Sequence, residues 1–316
     1  MLQSIRNHKL VAITGVGFDR IASGDLAVNG HKIASWDGLL AHGYEYCKQN
    51  GLSGTEKTDV IELQLKQKGT HDLIGAAQTI LRWLGNSPGN HTYIWLESSV
   101  GKLQLVRPEL TATLRTISPI LATLNYGTLL EQGTGYDSLH WKQYDLIARV
   151  FRQEVPPRVL HLHGIWTEPA LLVLDYSSYR DVATNVPMQV LMNNLFMYHR
   201  MLFVGCKGTF EDPNFHQIIG HYSQDLRDCS HCHYVLCRNA EIEEFHRLLE
   251  PTKMIKSIAY GDNYDDLPAF LHQLATDAGC VVMNRPSANQ IIKPREIEAS
   301  LNYKKPFDIW RMQWKR

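Results

Sequence analysis

At 316 residues the chain is long enough to bury a substantial core, as one large α/β domain or two small ones. Its 32 basic and 32 acidic side chains cancel, which leaves no net field for wrapping nucleic acid or coating an anionic membrane. Six cysteines are too few for a disulfide scaffold, and no segment approaches the roughly 18 apolar residues of a membrane span. The opening residues lack the long apolar run of a secretory signal, so the expectation is a cytoplasmic, reduced protein.

Lys9 to Thr14 reads as a short buried strand, closed at once by Gly15-Val16-Gly17. Ser35 is placed to cap a helix carrying Trp36, Leu39, Leu40 and Cys47, with Gly51 as its stop. Asp59 to Leu65 adds a helical turn or two. Thr70 is expected to cap a clearer helix, in which Leu73, Ile74, Ala77, Ile80, Leu81 and Leu84 form one stripe. Tyr93 to Leu96 is a short extended or helical piece, and Pro108 opens a helix through Ile117. Residues 35–117 thus read as a helical module.

From Ile120 the texture changes to short apolar runs bounded by turn residues: Ile120 to Leu124, Val159 to Leu162, Leu171 to Leu174, Met201 to Val204, Tyr234 to Leu236 and Met254 to Ala259. Runs of this length read as strands buried on both faces. Helical stretches lie between them at Val186 to Tyr198, Phe215 to Leu226 and Ala240 to Leu249. The alternation predicts an α/β fold, a Rossmann-like, doubly wound, mostly parallel sheet with an inserted helical module, forming one domain over residues 1–316. The tail from about 284 mixes basic residues with Tyr303, Phe307, Trp310 and Trp314. It reads either as a segment packing its aromatics on the domain or as a docking surface for another subunit.

Ligands of open α/β sheets sit beyond the carboxyl ends of the strands, so the residues closing each apolar run are the candidates for chemistry. Gly15 and Gly17 follow the first strand, where glycines let the backbone approach a pyrophosphate; a full G-x-G-x-x-G fingerprint is absent because Arg20 stands at the third glycine. Asn125 closes the strand from Ile120, placed either to bond ribose hydroxyls or a water, or to satisfy its own turn. His161 and His163 end the next strand, as a metal pair or as one catalytic base with a structural neighbour.

Taken in order, Gly15-Val16-Gly17, Thr123-Leu124-Asn125-Tyr126, Leu162-His163-Gly164, Val173-Leu174 with Tyr179, and Leu202-Phe203-Val204-Gly205-Cys206 with Asp212-Pro213 resemble the SIR2-like, that is sirtuin-like, family. Ser35-Trp36-x-x-Leu39-Leu40 resembles its helix after the glycine turn. Tyr260 to Pro268 resembles the C-terminal element of stand-alone, filament-forming members. The resemblance implies an NAD hydrolase cleaving the nicotinamide–ribose bond, of the kind found in bacterial antiphage defence. It also implies a homo-oligomer or filament, or control by a regulatory partner protein. His163 would be the base and Asn125 would position ribose or water. Gly15, Val16, Gly17, Phe18, Asp19, Thr123 and Gly205 would complete the NAD groove, with NAD as substrate and no metal.

Two positions depart from that pattern. The family's Ser in the glycine turn is Asp19, and the Asp of its Asn-Tyr-Asp motif is Gly127. A carboxylate at Asp19 would repel a pyrophosphate unless it turns away or meets a cation. The alternatives are a non-catalytic NAD- or ADP-ribose-binding scaffold subunit and, less favoured, a protein deacylase. A deacylase calls for a four-cysteine zinc module, where this chain has only Cys229, His231, Cys232, His233 and Cys237.

Overall fold

Seven short strands, the five inner ones buried along most of their length, lie side by side and all parallel in the protein's computed structural model, which describes residues 1–54, 58–211, 233–249 and 254–282. In chain order the elements are α1 (Leu2–Arg6), β1 (Leu10–Thr14), α2 (Val16–Ala22), a small antiparallel hairpin of β2 (Ala27–Val28) and β3 (His31–Lys32), α3 (Trp36–Gln49), α4 (Thr58–Gln67), α5 (Thr70–Asn86), α6 (His91–Ser98) and α7 (Pro108–Ile117). There follow β4 (Ile120–Thr123), α8 (Leu129–Thr134), β5 (Asp137–His140), α9 (Tyr144–Phe151), β6 (Arg158–His161), α10 (Tyr176–Thr184), α11 (Val186–Tyr198), β7 (Arg200–Val204), β8 (His233–Cys237), α12 (Ile242–Leu249), β9 (Ile255–Ala259) and α13 (Leu267–Asp277).

The strand order β5-β6-β4-β1-β7-β8-β9 puts β1 in the middle, with β4 on one side and β7 on the other. Ala12 stands in register with Leu121 and with Leu202. Because side chains alternate along a strand, Leu10, Ala12, Leu121, Leu202 and Val204 feed one core, which also takes up the stripes of α3, α5 and α7. Val11, Ile13, Ala122, Met201 and Phe203 feed the other, closed by α9, α10, α11 and α12. The sheet is therefore covered on both faces, and each fully buried Leu or Ile contributes about 1.5–3 kcal/mol through removal of apolar surface from water. Residues Met1–Asn284 make up one unit of this fold.

The helical module lies where its periodicity puts it. The Ser35 hydroxyl accepts from the Gly38 N–H at 3.2 Å as the cap of α3, and Pro108 is the first residue of α7. Tyr93 to Leu96 is helical, within α6.

Three expectations are corrected. Thr70 is the first residue of α5 rather than its cap, a position held by Gly69. Leu171 to Leu174 is no strand: Leu172, Val173 and Leu174 are buried, but only the Val173 N–H reaches back to the His163 carbonyl, and a 3-10 turn at Pro169–Leu171 leads in. The edge strand is instead β5, whose sequence Asp-Ser-Leu-His carries one core side chain, Leu139. Gly15-Val16-Gly17 leads straight into α2 rather than into a loop. The helix expected at Phe215 to Leu226 and the tail from about 284 lie outside the described residues.

Candidate active site

A cleft of about 490 Å³ opens over the carboxyl ends of β1, β4, β6, β7 and β8, at the point where the chain changes direction across β1. That volume falls within the range of small-ligand sites. Its wall includes Gly15, Val16, Gly17, Asp19, Asn125, His163 and Gly205, residues from four separate strand ends that the fold brings together.

The β1 and β7 turns meet as a pair of interlocked backbones. Gly205 has φ +69°, and a Cβ there would stand 2.1 Å from the Phe18 nitrogen, so no other residue fits without displacing α2. The N–H groups of Gly15 and Gly17 donate to the carbonyls of Val204 and Gly205 at 3.0 and 2.9 Å. These glycines thus bring two turns into contact, and their N–H groups are engaged within the fold rather than free to meet an anion. Phe18 does not reach the cleft: it is fully buried in the core beneath α2. Thr123 stands behind the wall, where its hydroxyl accepts from the Asn125 N–H at 3.0 Å and meets the Thr14 hydroxyl at 3.0 Å.

Asn125 is buried, and its Nδ2 has no hydrogen-bond partner. An unpaired buried amide costs about 1–3 kcal/mol, so an uncompensated donor at a cleft wall marks a place for a ligand atom or a water. The backbone carbonyl of Asn125 is held from below by His161 Nδ1 at 3.3 Å, while His161 Nε2 meets Glu131 Oε1 at 2.6 Å. Ser138 Oγ donates to the same carboxylate oxygen at 2.7 Å.

The two histidines therefore part company. His161 is wholly buried as the brace of the Asn125 turn. His163 lies just past the end of β6, lines the cleft and packs edge-on to Tyr179 with ring centroids 5.8 Å apart. Gly164, at φ +84°, lets the chain turn directly after it, since a Cβ would stand 2.3 Å from the Leu171 carbonyl oxygen. Of the two readings left open by the sequence, one imidazole in the cleft beside a structural neighbour is the arrangement present. Tyr179 reaches the cleft from α10.

Asp19 is the second buried polar group of the wall, 4% exposed. Burial pushes its carboxyl up to about 7, and the nearby Glu131 charge adds to the shift; the Asn125 amide and His161 pull the other way without reversing it. The Asn125 amide influences this carboxyl from close by but without the geometry of a hydrogen bond. The carboxylate has turned inward, toward the space beside Gly127.

The far half of the cleft was not read from the sequence as a site. Lys207, Glu241, Phe245, Tyr260 and Tyr264 line it. Burial works against ionisation of Glu241, but two hydrogen bonds from Arg238 outweigh it and hold the carboxyl below its ordinary range. The Arg238 guanidinium lies 4.2 Å over the Tyr264 ring. Tyr260 and Tyr264, read from the sequence as an assembly element, thus belong to the cleft wall. At the mouth Lys68 is paired with Asp37.

Among the described residues no three His, Cys, Asp or Glu side chains are grouped as a metal site requires. Of the zinc alternative, His233 and Cys237 are consumed by the core on β8, and Cys229, His231 and Cys232 lie outside the described residues. No helix among the described residues is long and apolar enough to cross a membrane.

Residues 119–256 match the family model of the SIR2-like domain. The chain carries a SIR2-like domain. The match runs from β4 into β9 and takes in Asn125, His163 and Gly205, while the Gly15–Asp19 turn joins the site from outside it through β1. The match supports a sirtuin-like, NAD-related function in broad terms.

Proposed function

We propose that the protein hydrolyses NAD, releasing nicotinamide and ADP-ribose. The observation that carries this reading is the meeting of His163 and the unpaired Asn125 amide in one cleft of ligand size. Cleavage of the nicotinamide–ribose bond passes through an oxocarbenium-like sugar, so a site must fix the ribose and direct a water at its C1′. Asn125 Nδ2 holds a ribose hydroxyl or that water, which satisfies its missing hydrogen bond. His163 takes a proton from the attacking water as the new C–O bond forms. Nicotinamide leaves with the bonding pair of the broken C–N bond, becoming neutral, and the net products are ADP-ribose, nicotinamide and one proton.

The other end of the nucleotide takes the half-cleft beyond β7 and β8. There Glu241 is ionised and suited to ribose hydroxyls, and Tyr260 and Tyr264 offer aromatic faces to the adenine. We further propose that the activity serves antiphage-type defence and is restrained until the chain assembles with itself or a partner, because unrestrained NAD loss is toxic. Product chromatography on wild type and His163→Ala, at low and high protein concentration, tests both parts. Nicotinamide from wild type alone supports the hydrolase. Bound, intact NAD with no turnover at any concentration would favour the binding subunit instead.

A further inference from the structure

Asp19 is a buried carboxyl group with no ion-pair partner among the described residues. Its neighbour Arg20 is turned away to Asp25, at 2.8 Å. The groups that act on it from the packed elements are the Asn125 amide, Glu131 on α8 and His161 on β6. Glu131 and His161 are already committed to each other at 2.6 Å. On the cleft side, the cations Lys68 and Lys207 are held by Asp37 and by Glu241 and Glu244, and the remaining titratable side chains of the lining are His163, Cys206, Tyr126, Tyr179, Tyr260 and Tyr264. The fold has thus placed a buried acid in the cleft wall with no dedicated cation among the described residues. A buried anion without a partner is costly, and the cost is recovered when a cationic guest enters.

The place of this carboxylate matters as much as its burial. A Cβ on Gly127 would stand 3.5 Å from Asp19 Oδ2, so the carboxylate occupies the space beside the Asn125 turn that a side chain at 127 would otherwise reach. It shares the cleft wall with Asn125 and His163, the residues assigned above to the reacting ribose.

Resting on the NAD reading of this cleft, we infer that the Asp19 carboxylate is the counter-charge for the cationic nicotinamide–ribose end of the nucleotide. The site therefore selects oxidised, positively charged NAD over its neutral reduced form. A carboxylate facing the pyridinium attracts it in the ground state. As the C–N bond breaks, the positive charge passes from ring to sugar and stays near the same wall. Burial keeps Asp19 protonated below about pH 7, so the selectivity is weak in acid and develops as the pH rises.

The test is calorimetric binding of the oxidised and reduced nucleotides from pH 6 to pH 8.5, in a His163→Ala background. That background blocks turnover and removes the imidazole that lines the cleft. The expected result is a preference for the oxidised form that reaches at least roughly tenfold at pH 8.5 and shrinks toward pH 6. Adding the nearly isosteric Asp19→Asn should abolish both the preference and its pH dependence. The double change Asp19→Ser with Gly127→Asp, which returns a carboxylate to the same space from the β4 side, should restore the preference. An undiminished preference in Asp19→Asn, or equal affinity for both nucleotides at every pH without that change, would overturn the inference while leaving NAD binding intact. Failure to bind either nucleotide would instead overturn the NAD reading, and the inference with it.

Discussion

Replacing Asp19 by Asn should stabilise the protein, and should do so more at alkaline pH than at acid pH. The carboxyl rises from the usual 3.8 to about 7 on folding, so the folded state holds its proton more tightly than the unfolded chain. A carboxyl with a raised folded-state pKa lowers stability as the pH climbs from the unfolded value to the folded one, and the loss is complete above about 7. At about 1.4 kcal/mol per tenfold change in proton affinity, the full loss is on the order of 4 kcal/mol. Between pH 5 and pH 8.5 it grows by about 3 kcal/mol. Asn has nearly the same shape and no charge, so the difference between variant and wild type isolates this one titration. Thermal unfolding followed by circular dichroism at pH 5 and pH 8.5 measures it. At roughly 2 °C per kcal/mol for a chain of this size, the gap in Tm between variant and wild type should widen by about 6 °C on going to pH 8.5. A gap of the same size at both values would refute the burial argument for Asp19.

Glu131→Ala removes the partner of a fully buried imidazole and of Ser138, and should cost about 2–3 kcal/mol in denaturant unfolding. It should also weaken nucleotide binding, since His161 then no longer braces the Asn125 carbonyl. Gly205→Ala forces a Cβ to within 2.1 Å of the Phe18 nitrogen at positive φ, so soluble yield and Tm should fall sharply. Gly208→Ala, with nothing within 4 Å of its Cβ, should change Tm little and serves as the matched control. Leu202→Ala, at the centre of the sheet, should cost about 2–5 kcal/mol by the same unfolding measurement.

How far the sequence predicts this structure depends on the kind of information each element carries. The central strands β1, β4, β6 and β7 are legible because both faces are covered, and an uninterrupted apolar run of four or five residues has few other uses. The same rule misleads at Leu171 to Leu174, an equally apolar run that fills the core without joining the ladder. It also misses β5, whose single core residue Leu139 leaves no pattern to see. Helix α2 is hidden because the glycines that read as a turn are there to let β1 and β7 come into contact.

The site divides in the same way. His163 and Asn125 stand at strand ends, a position the order of apolar runs reveals. The roles of Glu131 and Asp19 arise from contacts across elements: Glu131 pairs with His161 thirty residues away, and Asp19 faces Gly127 from another strand end. No local pattern encodes either contact. The Tyr260 to Pro268 segment is conspicuous in the sequence, but only the position of β9 beside β8 shows that its tyrosines face the cleft.

The central claim is that His163 acts on NAD held in the β1–β7 cleft. The most direct measurement is liquid chromatography of the products formed from NAD by purified wild type and by His163→Ala, beside an unfolding check that both are folded. The prediction is nicotinamide and ADP-ribose from wild type, with release at least roughly a hundredfold slower in the variant. Equal release from both proteins would remove His163 from the chemistry. No release from wild type at any protein concentration would contradict the hydrolase itself.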